Sequence, residues 1–278
     1  MSAAAQVCRF DWYEVTFDGG NDSVVAYALA AETQGQLSPA RGRYGYTSAH
    51  HIERKDADGT AVVLATVFGK SARPGEVHVT VSGACCDELV PILRRLYPDH
   101  RVSRADSAVD LRAEFADLDA RALQLATDRG LSHRLITDSS GGATRYLGAP
   151  SSELRVRVYR KSEQLRALHP ETADTVPDGI VRAELQARPS KRAIKQAVST
   201  MTPDDLWGLG QWSKGLALDL LGFEAERVPT HSRRPSDWER TLHYFAKQYR
   251  PSILRRAQSV GLDQAVSELL DVLTLEEV

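Results

Sequence analysis

Three segments of this 278-residue chain place residues that can handle a phosphodiester at a spacing of two: Val102-Ser103-Arg104-Ala105-Asp106-Ser107-Ala108-Val109-Asp110, Leu154-Arg155-Val156-Arg157-Val158-Tyr159-Arg160-Lys161 and Val181-Arg182-Ala183-Glu184-Leu185-Gln186-Ala187-Arg188. Each alternates small or apolar residues with polar ones, the pattern of a strand with one buried and one open face. Arg155, Arg157, Tyr159 and Lys161 share one face, opposite Val156 and Val158. Arg182, Glu184, Gln186 and Arg188 oppose Val181, Ala183, Leu185 and Ala187. If the strands are neighbours, the open face gathers carboxylates, guanidinium groups and a tyrosine, a set that can hold a metal ion and break a DNA strand. Any one strand alone reads better as the mixed charged face that a half-buried antiparallel sheet shows to water than as an active site.

A tyrosine attacking a phosphodiester must lose its proton, and the unperturbed phenol pKa is about 10, so a cation or base has to assist. Lys161, on the same face as Tyr159, is the candidate helper. Negative charge building on the phosphoryl oxygens calls for a cation against them. Asp106, Asp110 and Glu184 are the candidate ligands, and oxygen donors favour Mg²⁺ or Mn²⁺ over zinc. Asp106 and Asp110 lie roughly 13 Å apart along one strand, too far for both to hold one ion unless the strand bends. Asp110 has a second reading as a cap for the following segment. Arg104 and Arg182 can pair with these carboxylates or hold phosphate. The chain has no His-x-His triplet, which excludes the nickases that bind metal through two histidines on one strand. His50 and His51 are adjacent, so in a strand they point to opposite faces.

The order of segments resembles the trans-acting replication initiator family, Rep_trans. The resemblance rests on Asp11-Trp12-Tyr13-Glu14-Val15-Thr16-Phe17, His78-Val79-Thr80-Val81-Ser82-Gly83, the three strands above, and the stretch from Trp238-Glu239-Arg240-Thr241-Leu242 to Gly261. It covers residues 10 to 262 and is nearest to the RstA-type initiators of filamentous phages. The resemblance implies an enzyme of rolling-circle replication that nicks and rejoins one origin strand through a phosphotyrosine. Tyr159 matches the nucleophile, and Asp106 and Glu184 match the Arg-x-Asp and Arg-x-Glu positions that hold the divalent metal. Implied partners are origin DNA, with a host helicase and polymerase. Two other readings are a conjugative relaxase of the same chemistry and a DNA-binding regulator without catalysis, whose basic strands only contact backbone phosphate.

The elements that must position these residues read as an α+β unit. Strands are expected over 9–17, several short stretches of 42–81, 101–111, 131–137, 144–148, 153–161 and 179–188, with helices over 22–33, 87–97 and 118–129. The expected fold is an antiparallel sheet with helices on one face over 1–190, with a second reading of two similar halves meeting near residue 110. A helical region follows over 191–278. Thr202-Pro203-Asp204-Asp205 carries an N-cap candidate ahead of a proline at the first helical position.

The formal charge of −2 hides segregation, because Arg233, Arg234, Arg240, Lys247, Arg250, Arg255 and Arg256 crowd one stretch. Local basic patches set phosphate affinity more than net charge does. With Arg155, Arg157 and Arg182, the residues Arg233, Arg234 and Arg250 are the expected DNA contacts. Three cysteines, two of them adjacent, form no disulfide framework and suit a reducing compartment. No apolar stretch is long enough to cross a bilayer, so a cytoplasmic protein without a membrane partner is expected.

Overall fold

The computed structural model describes residues 7–57, 59–139, 141–228 and 237–274. Along the chain run β1 (Arg9–Phe17), α1 (Asp22–Thr33), β2 (Gln36–Pro39), β3 (Ser48–Lys55), β4 (Ala61–Gly69), β5 (Val77–Ser82) and α2 (Cys85–Leu96). There follow β6 (Arg101–Arg112), α3 (Phe115–Asp128), β7 (His133–Thr137), β8 (Ala143–Leu147), β9 (Leu154–Arg160), α4 (Lys161–Leu168), β10 (Ile180–Ala187) and α5 (Arg192–Val198). Short helices α6 (Pro203–Leu206) and α7 (Gln211–Leu216) precede two longer ones, α8 (Asp237–Val260) and α9 (Leu262–Thr274).

The strands form one sheet of order β2-β3-β4-β5-β1-β6-β10-β9-β8-β7, every neighbouring pair antiparallel. The expected α+β architecture is the one observed. Tyr13, Val15, Val79, Val81, Val156, Val158, Ala183 and Leu185 point to one face and pack with Val25 and Leu29 of α1, Leu89 and Leu93 of α2, and Leu118 and Ala122 of α3. Capping side chains fix the starts of two helices. Asn21 caps α1 by accepting from the backbone N–H groups of Ser23 and Val24, and Thr202 forms the capping box of α6 with Asp205, Pro203 taking the first helical position.

The order of elements repeats. A strand, a helix, three antiparallel strands and a fourth that returns beside the first make β1 to β5. The same course makes β6 to β10, with α4 inserted before the last strand. The two courses meet edge to edge where β1 pairs with β6. The chain passes from one half to the other between α2 and β6, about ten residues before the expected junction near 110.

The described chain divides into two compact units, Met1–Pro229 and Thr230–Val278. The first therefore runs well past the boundary expected near 190. The reason is burial: Leu206, Trp207, Leu216, Ala217, Leu220 and Leu221 belong to the same core as the sheet, and Trp207 donates its indole N–H to Ser107 Oγ at 3.0 Å. The second unit contains α8 packed with α9, tied by Arg256 to Glu268 at 2.8 Å. No described helix is long and apolar enough to cross a membrane.

Candidate active site

The pairing of β1, β6, β10, β9 and β8 lines up three rungs of side chains on the face away from the core. One rung reads Asp110, Arg182, Tyr159, Thr144. The next reads Ala108, Glu184, Arg157, Tyr146, and the third Trp12, Asp106, Gln186, Arg155. Directly opposed residues in an antiparallel pair lie about 5 Å apart and diagonal ones about 7–8 Å. Asp106 and Asp110 are both diagonal to Glu184, so register alone does not choose between them as its partner.

Their guanidinium neighbours do distinguish them. Arg182 grips Asp110 through Nε at 2.6 Å and Nη2 at 2.8 Å, and Arg9 adds a third contact at 2.7 Å. Burial opposes ionisation of Asp110, yet the hydrogen bonds and charge of Arg182 outweigh it and hold this carboxyl below its usual range. Arg182 spends its remaining nitrogen on Asp11 at 2.8 Å and is 4% exposed. Its expected DNA contact is replaced here by carboxylates, because a buried cation must be paired. Asp106 receives Arg104 at 3.0 Å and 2.5 Å, with a longer contact from Gln186 at 3.4 Å.

Glu184 is the least satisfied of the acids. It is wholly buried, and Arg157 Nη2 donates to its Oε2 at 2.7 Å. Oε1 lies 2.6 Å from the same nitrogen, but no donor among the described residues is aimed at it in hydrogen-bonding geometry. Burial raises its pKa, Arg157 pulls it down and Asp106 pushes it up again, leaving the carboxyl at about 7. The small Ala108 opposite adds no side-chain donor.

Tyr159 shares this face and not the core, yet is 5% exposed. Its hydroxyl donates to Glu184 Oε2 at 3.5 Å, and the Arg157 guanidinium sits 5.1 Å from its ring centre. Burial, then the nearby Glu184 charge, raise the phenol pKa, so the resting tyrosine is protonated. Lys161 is not on the strand with it: β9 ends at Arg160, and Lys161 opens α4. Its ammonium still reaches within 5.9 Å of the tyrosine ring and donates to Gln164 at 2.8 Å. Burial and then Arg182 lower its pKa. A cleft of about 370 Å³ opens beside Tyr159, walled by Tyr146, Arg157, Arg160 and Gln164.

The face is less open than alternation implies. Arg104 and Arg157 lie across Asp106 and Glu184, because ion pairing folds their long stems down onto the strands. Arg155 is different: its guanidinium stacks at 3.9 Å over Tyr146, and its Nε is buried without a partner.

Asp11 is a site residue that alternation misses. Its odd number puts it in phase with Tyr13 and Val15, toward the core. The register of β1 against β6 slips between Phe10 and Trp12, and this irregularity turns Asp11 onto the Arg182 side. An aspartate at a core-phased position was the available signal.

Among the described residues no three metal-ligating side chains converge. The pair Asp106 and Glu184 nonetheless fits a hard divalent ion. Glu184 Oε1 is a buried acceptor at which no donor among the described residues is aimed, and Asp106 stands diagonal to it, so an ion there would meet two carboxylates whose present partners are Arg104 and Arg157. Mg²⁺ typically takes one or two carboxylates and keeps several waters. Arg233 and Arg234 lie outside the described residues, as does the side chain of Arg240. Arg250 and Arg255 are exposed on α8, whereas Arg256 is engaged by Glu268.

Among solved structures, this chain is similar to the rolling circle replication initiator protein from Geobacillus stearothermophilus. The two are 24% identical, with a TM-score of 0.50 over 83% of this chain and 90% of that one. The likeness shows a shared fold. No family model matches the sequence, and no curated protein matches it.

Proposed function

We propose that this protein is a metal-dependent DNA nicking and strand-transfer enzyme that initiates rolling-circle replication. The observation that carries the reading is the placement of Tyr159 against Glu184, diagonal to Asp106, on the basic face of a sheet whose fold is shared with a rolling-circle initiator. The short stretches that resemble the RstA-type branch favour an element of the filamentous phage kind.

In this reading Asp106 and Glu184 would hold Mg²⁺ or Mn²⁺, which would supply charge against the phosphoryl oxygens. Asp110 stays with Arg182 and Arg9 and fixes the strands. Arg155 and Arg157 take the phosphates flanking the scissile one, Arg155 already being free of any carboxylate among the described residues. Once the Glu184 charge is balanced, the phenol of Tyr159 is no longer penalised by it, and Lys161 lies close enough to favour the phenolate. Tyr159 Oη then bonds to phosphorus as the bond to the 3′ oxygen breaks; the phenol gives up its proton and the departing oxygen takes one up. The products are a 5′ phosphotyrosine and a 3′ hydroxyl that a host polymerase can extend, with a host helicase opening the duplex. Attack by a regenerated end reverses the step and frees the circle.

The test is a supercoiled plasmid carrying the element's own origin, incubated with the protein and Mg²⁺ or Mn²⁺. Covalent protein–DNA adducts that require both the metal and Tyr159 are expected. Binding without adducts or nicks under all metal conditions would instead make the protein a regulator.

A further inference from the structure

The half of the sheet made by β1 to β5 has its own pocket on the face that carries Tyr159 in the other half. It encloses about 260 Å³ and is lined by Trp12, Arg41, Arg43, Tyr44, His51 and Thr80, among others. Here β4 and β5 turn Thr66, Phe68, His78 and Thr80 to that face, where the corresponding β9 and β10 carry Arg157, Tyr159 and Glu184. The first half thus repeats the course of the second without its buried carboxylate beside a strand tyrosine. It retains a cavity without that chemistry.

The cover of this pocket is the loop between β2 and β3, with the sequence Arg41-Gly42-Arg43-Tyr44-Gly45-Tyr46. Two glycines shape it. A Cβ on Gly42 would lie 2.3 Å from the Tyr46 carbonyl oxygen, and Gly45 has φ +85°. Tyr44 itself sits at φ +57°, a left-handed conformation that a bulky residue rarely adopts. In that pose the residue is 64% exposed and its ring meets Phe68 and His78 edge-on at 5.7 and 5.8 Å. Arg41 and Arg43 are exposed, and neither has a carboxylate partner among the described residues. A free aromatic face between two unpaired guanidinium groups, over a floor of His51, Thr66 and Thr80, is complementary to an unpaired base with a phosphate on either side.

Trp12 links the pocket to the candidate active site. Trp12 lines it and also stands opposite Asp106 in the third rung, with Arg104 stacked 4.5 Å over its ring. From β9 to the span between β1 and β4 is three to five strand spacings, about 14–24 Å across one face of the sheet.

The geometry points to a second DNA site here: the β1–β5 half grips the single strand that leads away from the scissile phosphate, with one base stacked on Tyr44 and its phosphates on Arg41 and Arg43. The identity of that strand rests on the nicking function proposed above; the grip on single-stranded DNA does not.

The experiment measures binding of a fluorescent single-stranded DNA oligonucleotide to the full chain, Tyr159→Phe included so that cleavage is separated from binding. Tyr44→Ala should weaken binding about 5- to 150-fold, the range for losing one stacked base. Tyr44→Phe, which keeps the ring, should restore most of it. Arg41→Ala with Arg43→Ala should lower the slope of log K against log salt by about 1.4, or 0.7 per phosphate on a single strand. An oligonucleotide carrying 5-iodouracil should photo-crosslink to Tyr44, as read by peptide mass spectrometry. Unchanged binding by Tyr44→Ala, or crosslinks confined to other segments, would overturn the site. Tighter binding of an RNA strand of the same sequence would overturn its assignment to DNA. Absence of covalent adducts from the protein that keeps Tyr159, with this binding pattern intact, would refute the nicking reading and leave the pocket standing.

Discussion

Replacing Glu184 by Gln tests the central feature of the site, a fully buried carboxyl short of partners. Its pKa moves from an ordinary 4.5 to about 7, so ionising it inside the fold costs about 3 kcal/mol more than ionising it in the unfolded chain. The raised value fixes the sign. The contribution of Glu184 to stability is complete below pH 4.5 and is lost as pH rises through 7. His78, held neutral by burial down to about pH 4, works the other way between pH 4 and 6.5, and His100 is shifted in the same direction. The informative quantity is therefore the difference between Glu184→Gln and the parent, in which the histidines cancel. Urea unfolding at pH 5, 6, 7, 8 and 9 should show the variant gaining about 3 kcal/mol relative to the parent between pH 5 and 9. Mg²⁺ or Mn²⁺ added at pH 8 should recover more stability in the parent than in the variant, because only the parent offers the ion two carboxylates, the variant keeping Asp106 alone. A flat difference across pH would refute the account of Glu184. A sloping difference with no response to either ion would keep the buried acid and remove the metal.

Tyr159→Phe should abolish covalent attachment to origin DNA while retaining most binding; undiminished nicking of a supercoiled origin plasmid would exclude Tyr159 as nucleophile. Asp106→Asn should remove most metal-dependent nicking, whereas Asp110→Asn should chiefly cost stability, about 2 kcal/mol from a weakened Arg182 pair. The reverse ranking in nicking and denaturation assays would exchange their roles. Neutralising Arg233, Arg234, Arg240, Lys247, Arg250 and Arg255 together should weaken binding of duplex origin and reduce its salt dependence by about 0.9 for each phosphate that no longer meets a cation. Cleavage of a short single-stranded oligonucleotide should persist, and equal loss on both substrates would place these residues at the sheet or in the fold.

Much of the fold is legible from local pattern. Strand Arg9–Phe17 and helix Asp22–Thr33 fall at the residues that periodicity indicates, since alternation and capping depend on neighbours within a few positions. The separation of Val156 and Val158 from Arg155, Arg157 and Tyr159 follows from the same period of two. The end of β9 was less legible. Lys161 continues the alternation but begins a helix, because local pattern alone does not say where a strand loses its partner.

What brings the site together was decided by pairing between distant segments. Asp106 and Glu184 become diagonal neighbours through a register joining residues about 80 apart, and Tyr159 meets Glu184 across another 25. A slip of one residue in either strand would turn its polar set toward the core. The irregular pairing that aims Asp11, the inclusion of Trp207 in the core, and the choice of Arg182 for Asp110 over solvent all depend on what the folded sheet places alongside. Alternation determined which side chains share a face of each strand. Only the assembled sheet determined which of them meet, and burial within it raises the pKa of Glu184 toward neutrality.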